Sequence, residues 1–252
     1  MIDATQRARL IEILRTPINV QSHARISAIS QEKSGEILST QRYYCGLDAD
    51  MSDLAVGFYE IIYREILQGP ILKGRIIANK MFAGDTMSTF NTTANRIPEA
   101  GQTTTKRTSP ELWPNWLRNY WLTYGALANF WVLPSGIGRG GGEKPKGSFQ
   151  FYDYMDKYLG AVQQYYEDGV AATVPEYGEY FEKFNGFVDF CKKHFLVDAY
   201  VDSDFRVKTY SDAEPEKVIA TMRSGLNQRA QNIANSVFAD ELWEYFNEVG
   251  LC

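Results

Sequence analysis

Histidine is nearly missing from this chain. His23 and His194 are the two present in 252 residues, and neither has a second histidine or a complete metal-ligand set beside it. General-base catalysis and transition-metal ligation, which draw on imidazole more than on any other side chain, therefore have little to work with. Cysteine is also scarce. Cys45, Cys191 and Cys252 are odd in number and far apart, which reads as free thiols in a reducing cytoplasm rather than a disulfide framework. No apolar run approaches the roughly 18 residues of a membrane span. The opening MIDATQRARLIEILR has scattered charges and no apolar h-region, so no signal peptide is expected. Proline-rich linkers, fixed-period repeats and strand–helix–strand alternation are lacking too. Together these absences lead to an expected cytoplasmic, mainly α protein, a single helical domain over residues 1–252 with at most a small β-hairpin.

Bulk composition is ordinary, at 44% hydrophobic and 23% charged, but aromatics reach 14%. A net charge of −5 and a pI near 5.2 argue against a general grip on nucleic acid or anionic membrane. The charge is unevenly spread. Residues 84–147 carry seven Lys/Arg against four Asp/Glu, whereas residues 148–204 carry four against eleven. Two explanations stand: the segments face each other in the fold, or the first is a ligand-seeking basic patch.

Helical periodicity dominates. Residues 4–15 place Leu10, Ile11 and Leu14 on one face. A helix is expected from Asp53, as N-cap or first-turn acid, through Leu67, with Gly69-Pro70 ending it. Residues 149–167 and 176–194 carry dense aromatic stripes, the second running from Tyr177 through Phe181, Phe184 and Val188 to Cys191. At this spacing the rings read as core knobs between packed helices. Helices are also expected over 214–231 and 235–249, the latter with Val237, Phe238, Leu242 and Phe246 inward. Ala199–Val201 and Phe205–Tyr210 flank an Asp-Ser-Asp turn and suggest the hairpin; Gln41–Leu47 and Ile71–Met81 are further short strand candidates.

Chemistry-bearing residues gather between Gly84 and Gly147. If residues 86–95 are helical, Asp85 is an N-cap and Asn91 and Asn95 share a face. Thr86, Asn91, Asn95 and Arg96 then form either a buried hydrogen-bond network or a ligand surface. Asn129, within the apolar run Leu127–Leu133, poses the same question, because a buried amide must be satisfied by backbone, network or ligand. Gly136, Gly138 and Gly141 match G-x-G-x-x-G, but the flanking strand and immediate helix of a dinucleotide site are lacking. What remains is a loop whose Arg139, Lys144 and Lys146 could wrap a phosphate. Cys191 and His194 lie at i and i+3, half a zinc site without its other half.

Two blocks also carry a resemblance. Gly84-Asp-Thr-Met-Ser-Thr-Phe-Asn91, followed by Leu127-Ala-Asn-Phe-Trp-Val-Leu-Pro134, resembles a group of uncharacterised bacterial and phage-associated proteins with GDT-x-NSF-like and GNF-x-x-LP-like blocks in this order. The resemblance covers roughly residues 84–205 and implies no established activity. The second block is more distantly similar to the "GN-apolar-L…N…K" half of HNH-type restriction nucleases. That similarity implies a structural role for Asn129 and the later basic role for Lys144 or Lys146. It departs where those nucleases need histidine, since this chain has Tyr124 and Gly125 near the block.

Two functional readings follow. In the first, a ligand- or partner-binding protein uses Thr86, Asn91, Asn95, Arg96, Asn129, Arg139 and Lys144, with a phosphate-containing ligand or a protein as partner, in phage or mobile-element conflict. In the second, a metal-dependent enzyme acts on nucleic acid or nucleotide, with catalytic Asp85 holding Mg²⁺ or Mn²⁺. A homo-oligomer built through the aromatic helices is a third, structural option.

Overall fold

A computed structural model describes residues 1–17, 50, 52–67, 82–88, 90–101, 106–134, 154–168 and 178–252. The fold is mainly α. Helix α1 spans Ala4–Arg15 and opens on a reciprocal cap: Asp3 accepts from the Gln6 N–H, and the Gln6 side chain accepts from the Asp3 N–H. Its buried face is Leu10, Ile13 and Leu14. Helix α2, Asp53–Ile62, is capped by Ser52, whose hydroxyl accepts from the Ala55 N–H at 3.2 Å, so Asp53 is the first helical residue. The helix breaks at Tyr63 and resumes as α3, Arg64–Leu67.

Of residues 86–95, weighed as a helix in the sequence, only Phe90–Ala94 are helical, and Thr86 ends a strand. Residues Phe82–Thr86 form β1, and α4 covers only Phe90–Ala94. Thr86, Ser88 and Asn91 have weak helix propensity, and long-range pairing overrides it. The partner is β2, Phe130–Pro134, antiparallel to β1 with Asp85 opposite Trp131 and Thr86 opposite Phe130. The sheet therefore joins the two sequence blocks, Gly84–Asn91 and Leu127–Pro134. The hairpin expected at 199–210 is reduced to a single bridge between Val201 and Val207, with Asp202 and Lys208 N–H groups completing the turn.

Helix α5, Asn115–Trp121, leads into a short 3-10 turn at Leu127–Asn129. Helix α6 spans Met155–Asp168. The single helix expected over 176–194 is two pieces, α7 (Gly178–Phe181) and α8 (Gly186–Lys193). Gly186 adopts φ +85°, which a glycine accepts and a helix interior does not. The break resets the helical phase, so Val188 is 43% exposed although the stripe places it inward. Helix α9, Pro215–Ala234, runs three residues past its expected end. Helix α10, Ala239–Glu248, starts four later than expected, leaving Val237 90% exposed while Leu242 and Phe246 stay buried.

Helix α9 is the axis of the molecule. It packs on α1, α4, α5 and the Leu127–Asn129 turn, and α10 closes against α1 and α2. Buried residues from α1 to α10 form one continuous core. Close approach is built in at Gly225, where an added Cβ would meet the Tyr200 ring at 2.7 Å. Gly69-Pro70, Gly169, Tyr177, the two short strand candidates and the glycine loop lie outside the described residues.

Candidate functional site

The β1–β2 junction is pinned by an unusually complete set of buried hydrogen bonds. Beyond the last ladder pair, the Met87 N–H donates to the Asn129 carbonyl at 2.7 Å. The Asn129 side chain then takes over the role of a strand. Its Oδ1 accepts from the Ser88 N–H at 3.0 Å, and its Nδ2 donates to the Ser88 carbonyl at 3.0 Å and the Tyr124 carbonyl at 2.7 Å. The Tyr120 hydroxyl donates to the same Ser88 carbonyl, and the Ser88 hydroxyl pairs with that of Tyr200 at 2.8 Å. Asn129 is fully buried and its amide is spent on the protein. The structure thus takes the network alternative for Asn129: a ligand would find no free amide there.

A second network lies behind the sheet. Arg229 of α9 is fully buried and donates from Nε to the His194 carbonyl, from Nη1 to the carbonyls of Ala128 and Phe130, and from Nη2 to the Tyr63 hydroxyl at 2.8 Å. The remaining protons can be placed by accounting for each donor once. The Tyr180 hydroxyl donates to the Val132 carbonyl at 2.8 Å, so it accepts from His194 Nε2 at 2.9 Å. His194 Nδ1 then accepts from Tyr63 at 3.1 Å. Burial, reinforced by the positive charges of Arg229 and Lys193, holds the imidazole pKa well below its usual value. Cys191 is buried, and burial pushes its thiol up to about 12. With both ring nitrogens occupied and the thiol held protonated, the Cys191–His194 pair is core.

The polar residues nominated between 85 and 96 are not brought to one place. Arg96 donates to the carbonyls of Ser211 and Ala213, closing a loop that Asp156 holds from the other side through the N–H groups of Tyr210 and Ser211. Asn95 accepts from Arg107, whose guanidinium also lies 5.6 Å from the centre of the Phe90 ring. Asn91 lies on α4, with its side chain outside the described set, as are Arg139 and Lys144. Thr86 and Asp85 alternate along β1 and so point to opposite faces of the sheet.

Asp85 lies apart from these contacts, on strand β1. It is half-buried at the end of β1, with Oδ1 accepting from the Thr86 N–H at 2.7 Å. On its face of the sheet lies Trp131, whose indole N–H is buried and has no hydrogen-bond partner. The neighbouring Tyr59 phenol is raised well above its ordinary pKa, first by burial and then by the charges of Asp50, Tyr63 and Asp85. Two carboxylates thus bear on one buried phenol. Asp50, 6% exposed and with its carbonyl accepting from Tyr59, was not singled out in the sequence. No motif connects it to Asp85; the fold does. Among the described residues no group of three or more His, Cys, Asp or Glu is placed to hold a metal ion.

No family model, no curated protein and no solved structure matches this chain.

Proposed function

We propose that this is a binding protein whose ligand or partner meets the Asp85 end of strand β1. One observation carries the reading. Asp85 shares a sheet face with the unpaired indole N–H of Trp131, on a strand whose next turn is locked through Ser88 and Asn129. A half-buried carboxylate on a strand held by buried neighbours suits a ligand with hydroxyl or amino groups, and rigid support is what such a contact needs. The resemblance of the two blocks to bacterial and phage-associated proteins supplies the proposed setting, interaction or regulation in phage or mobile-element conflict. The test is NMR titration of the full-length, isotope-labelled protein with ribonucleosides, amino sugars and polyamines. Saturable shifts centred on residues 84–88, lost in Asp85→Asn, support the reading. Shifts elsewhere, or none with any probe, reject it.

A second reading, a metal-dependent enzyme acting on nucleic acid or nucleotide, rests on Asp50 and Asp85, whose charges both act on the Tyr59 phenol. Its test is Mn²⁺ binding followed by calorimetry, together with turnover of single-stranded DNA. Metal-dependent cleavage lost in Asp85→Ala supports it, and the absence of Mn²⁺ binding rejects it.

A further inference from the structure

Arginine use in this fold is economical, with one exception. Among the described residues, Arg7, Arg96, Arg107 and Arg229 donate to backbone carbonyls. Arg9, Arg64 and Arg206 pair with Glu12, Glu241 and Asp204, and Arg118 donates to Asn115. Arg15 and Arg223 alone make no hydrogen bond or ion pair. Both line the same cleft.

That cleft lies where the C-terminal end of α1 crosses the middle of α9 beside the turn that follows α5, and it encloses about 450 Å³. The volume falls within the roughly 300–1,000 Å³ typical of small-molecule sites. Ile11 and Leu226 give it an apolar floor, and Asn227 adds an amide that makes no hydrogen bond in the protein. Glu12 also lines it, but its carboxylate is held by Arg9 at 2.8 Å. Two of the α1 end carbonyls are engaged: the Thr16 N–H donates to Glu12 and Ile13, and the Thr16 hydroxyl donates to Glu12 at 2.7 Å. The lining thus carries two unpaired guanidinium groups and one carboxylate paired with Arg9, on a chain whose net charge is −5.

We infer that this cleft binds a small phosphomonoester, its phosphate forked between Arg15 and Arg223 and its organic body laid over Ile11 and Leu226. Two planar guanidinium groups match a tetrahedral dianion through paired N–H donors, a geometry that lysine cannot reproduce. An apolar floor adds affinity for a phosphate ester over the bare ion. The site is separate from Asp85 and does not depend on the function proposed there.

The experiment is calorimetric titration of the full-length protein with inorganic phosphate and with AMP, at two salt concentrations. AMP is expected to bind saturably and more tightly than inorganic phosphate, with affinity falling as salt rises. Arg15→Ala and Arg223→Ala should each weaken AMP about tenfold or more, and Arg223→Lys should fail to restore it. Running the same titrations in the Asp85→Asn background keeps any contribution of the Asp85 site apart from the cleft. Both arginines are exposed, so circular dichroism of each variant should match the parent. Absence of saturable binding by either probe, or binding that survives the Arg15→Ala/Arg223→Ala double variant, would overturn the inference.

Discussion

Arg229 Nε donates to the backbone carbonyl of His194 at 2.9 Å, and a second arm of the same guanidinium reaches the Tyr63 hydroxyl that hydrogen-bonds the His194 ring. Helix α9 is thereby tied to the end of α8, to α2 through Tyr63, and to β2 through Phe130. A directional chain runs from Arg229 through Tyr63, His194 and Tyr180 to Val132, each hydroxyl donating once.

Removing the guanidinium leaves the carbonyls of His194, Ala128 and Phe130 buried and short of a donor. Arg229→Met is expected to cost about 3–5 kcal/mol in urea unfolding. Arg229→Lys should recover only part of this, because one ammonium cannot reach all three carbonyls and the Tyr63 hydroxyl. A loss below about 1 kcal/mol for either variant would mean the network is not stabilising.

The low pKa of His194 has a defined sign. The imidazole is neutral in the folded protein and has a value near 6.5 when unfolded, so its contribution is fully present above about pH 6.5. As pH falls below that value the unfolded chain takes up the proton first, and stability declines until the folded value is reached. Unfolding free energy measured from pH 7.5 to 4.5 should fall with a slope of up to about 1.4 kcal/mol per pH unit from this group. His194→Gln should flatten that slope. A ¹⁵N spectrum should show the Nε2–H tautomer; an Nδ1–H tautomer contradicts the proton assignment.

Asn129→Ala strips the Ser88 N–H of its partner and leaves a gap beside the Tyr124 carbonyl. A destabilisation of about 3 kcal/mol is expected in thermal or denaturant unfolding. Asn129→Asp keeps the acceptor for Ser88 but loses both donated bonds, and should be destabilised as well. Parent-like melting of both variants would show that the amide does not hold the junction.

Gly225→Ala sets helix propensity against packing. Alanine favours the helix by about 1 kcal/mol. The new Cβ meets a Tyr200 ring fixed at its far end by Ser88, an overpacking cost of about 1–3 kcal/mol. Net destabilisation is expected, and a stabilised variant would refute the contact.

Much of the helical frame is legible in the sequence, because apolar spacing and capping are local signals. Ala4–Arg15 follows from the spacing of Leu10 and Leu14, and the α9 stripe from Val218, Met222 and Leu226. The errors fall where local preference loses to distant partners. Residues 82–86 become a strand because 130–134 pairs with them, and Gly186 divides what reads as one aromatic helix. The candidate site is legible only in part. Asp85 stands out as an acid in a polar block, and Asn129 as an amide in an apolar run. Asp50 carries no pattern, and Arg15 and Arg223 look like ordinary helix-surface charges until the fold sets them in one cleft.

The central claim is that Asp85 is presented by the buried scaffold, whereas Asn129 belongs to it. Denaturant unfolding of Asp85→Asn and Asn129→Ala, measured side by side with the parent, tests this most directly. Asparagine keeps the acceptor for the Thr86 N–H and removes one of the two carboxylates bearing on Tyr59. The account predicts that Asp85→Asn unfolds within about 0.5 kcal/mol of the parent or above it, while Asn129→Ala loses about 3 kcal/mol. If Asp85→Asn loses as much stability as Asn129→Ala, Asp85 is part of the architecture and the proposed site falls.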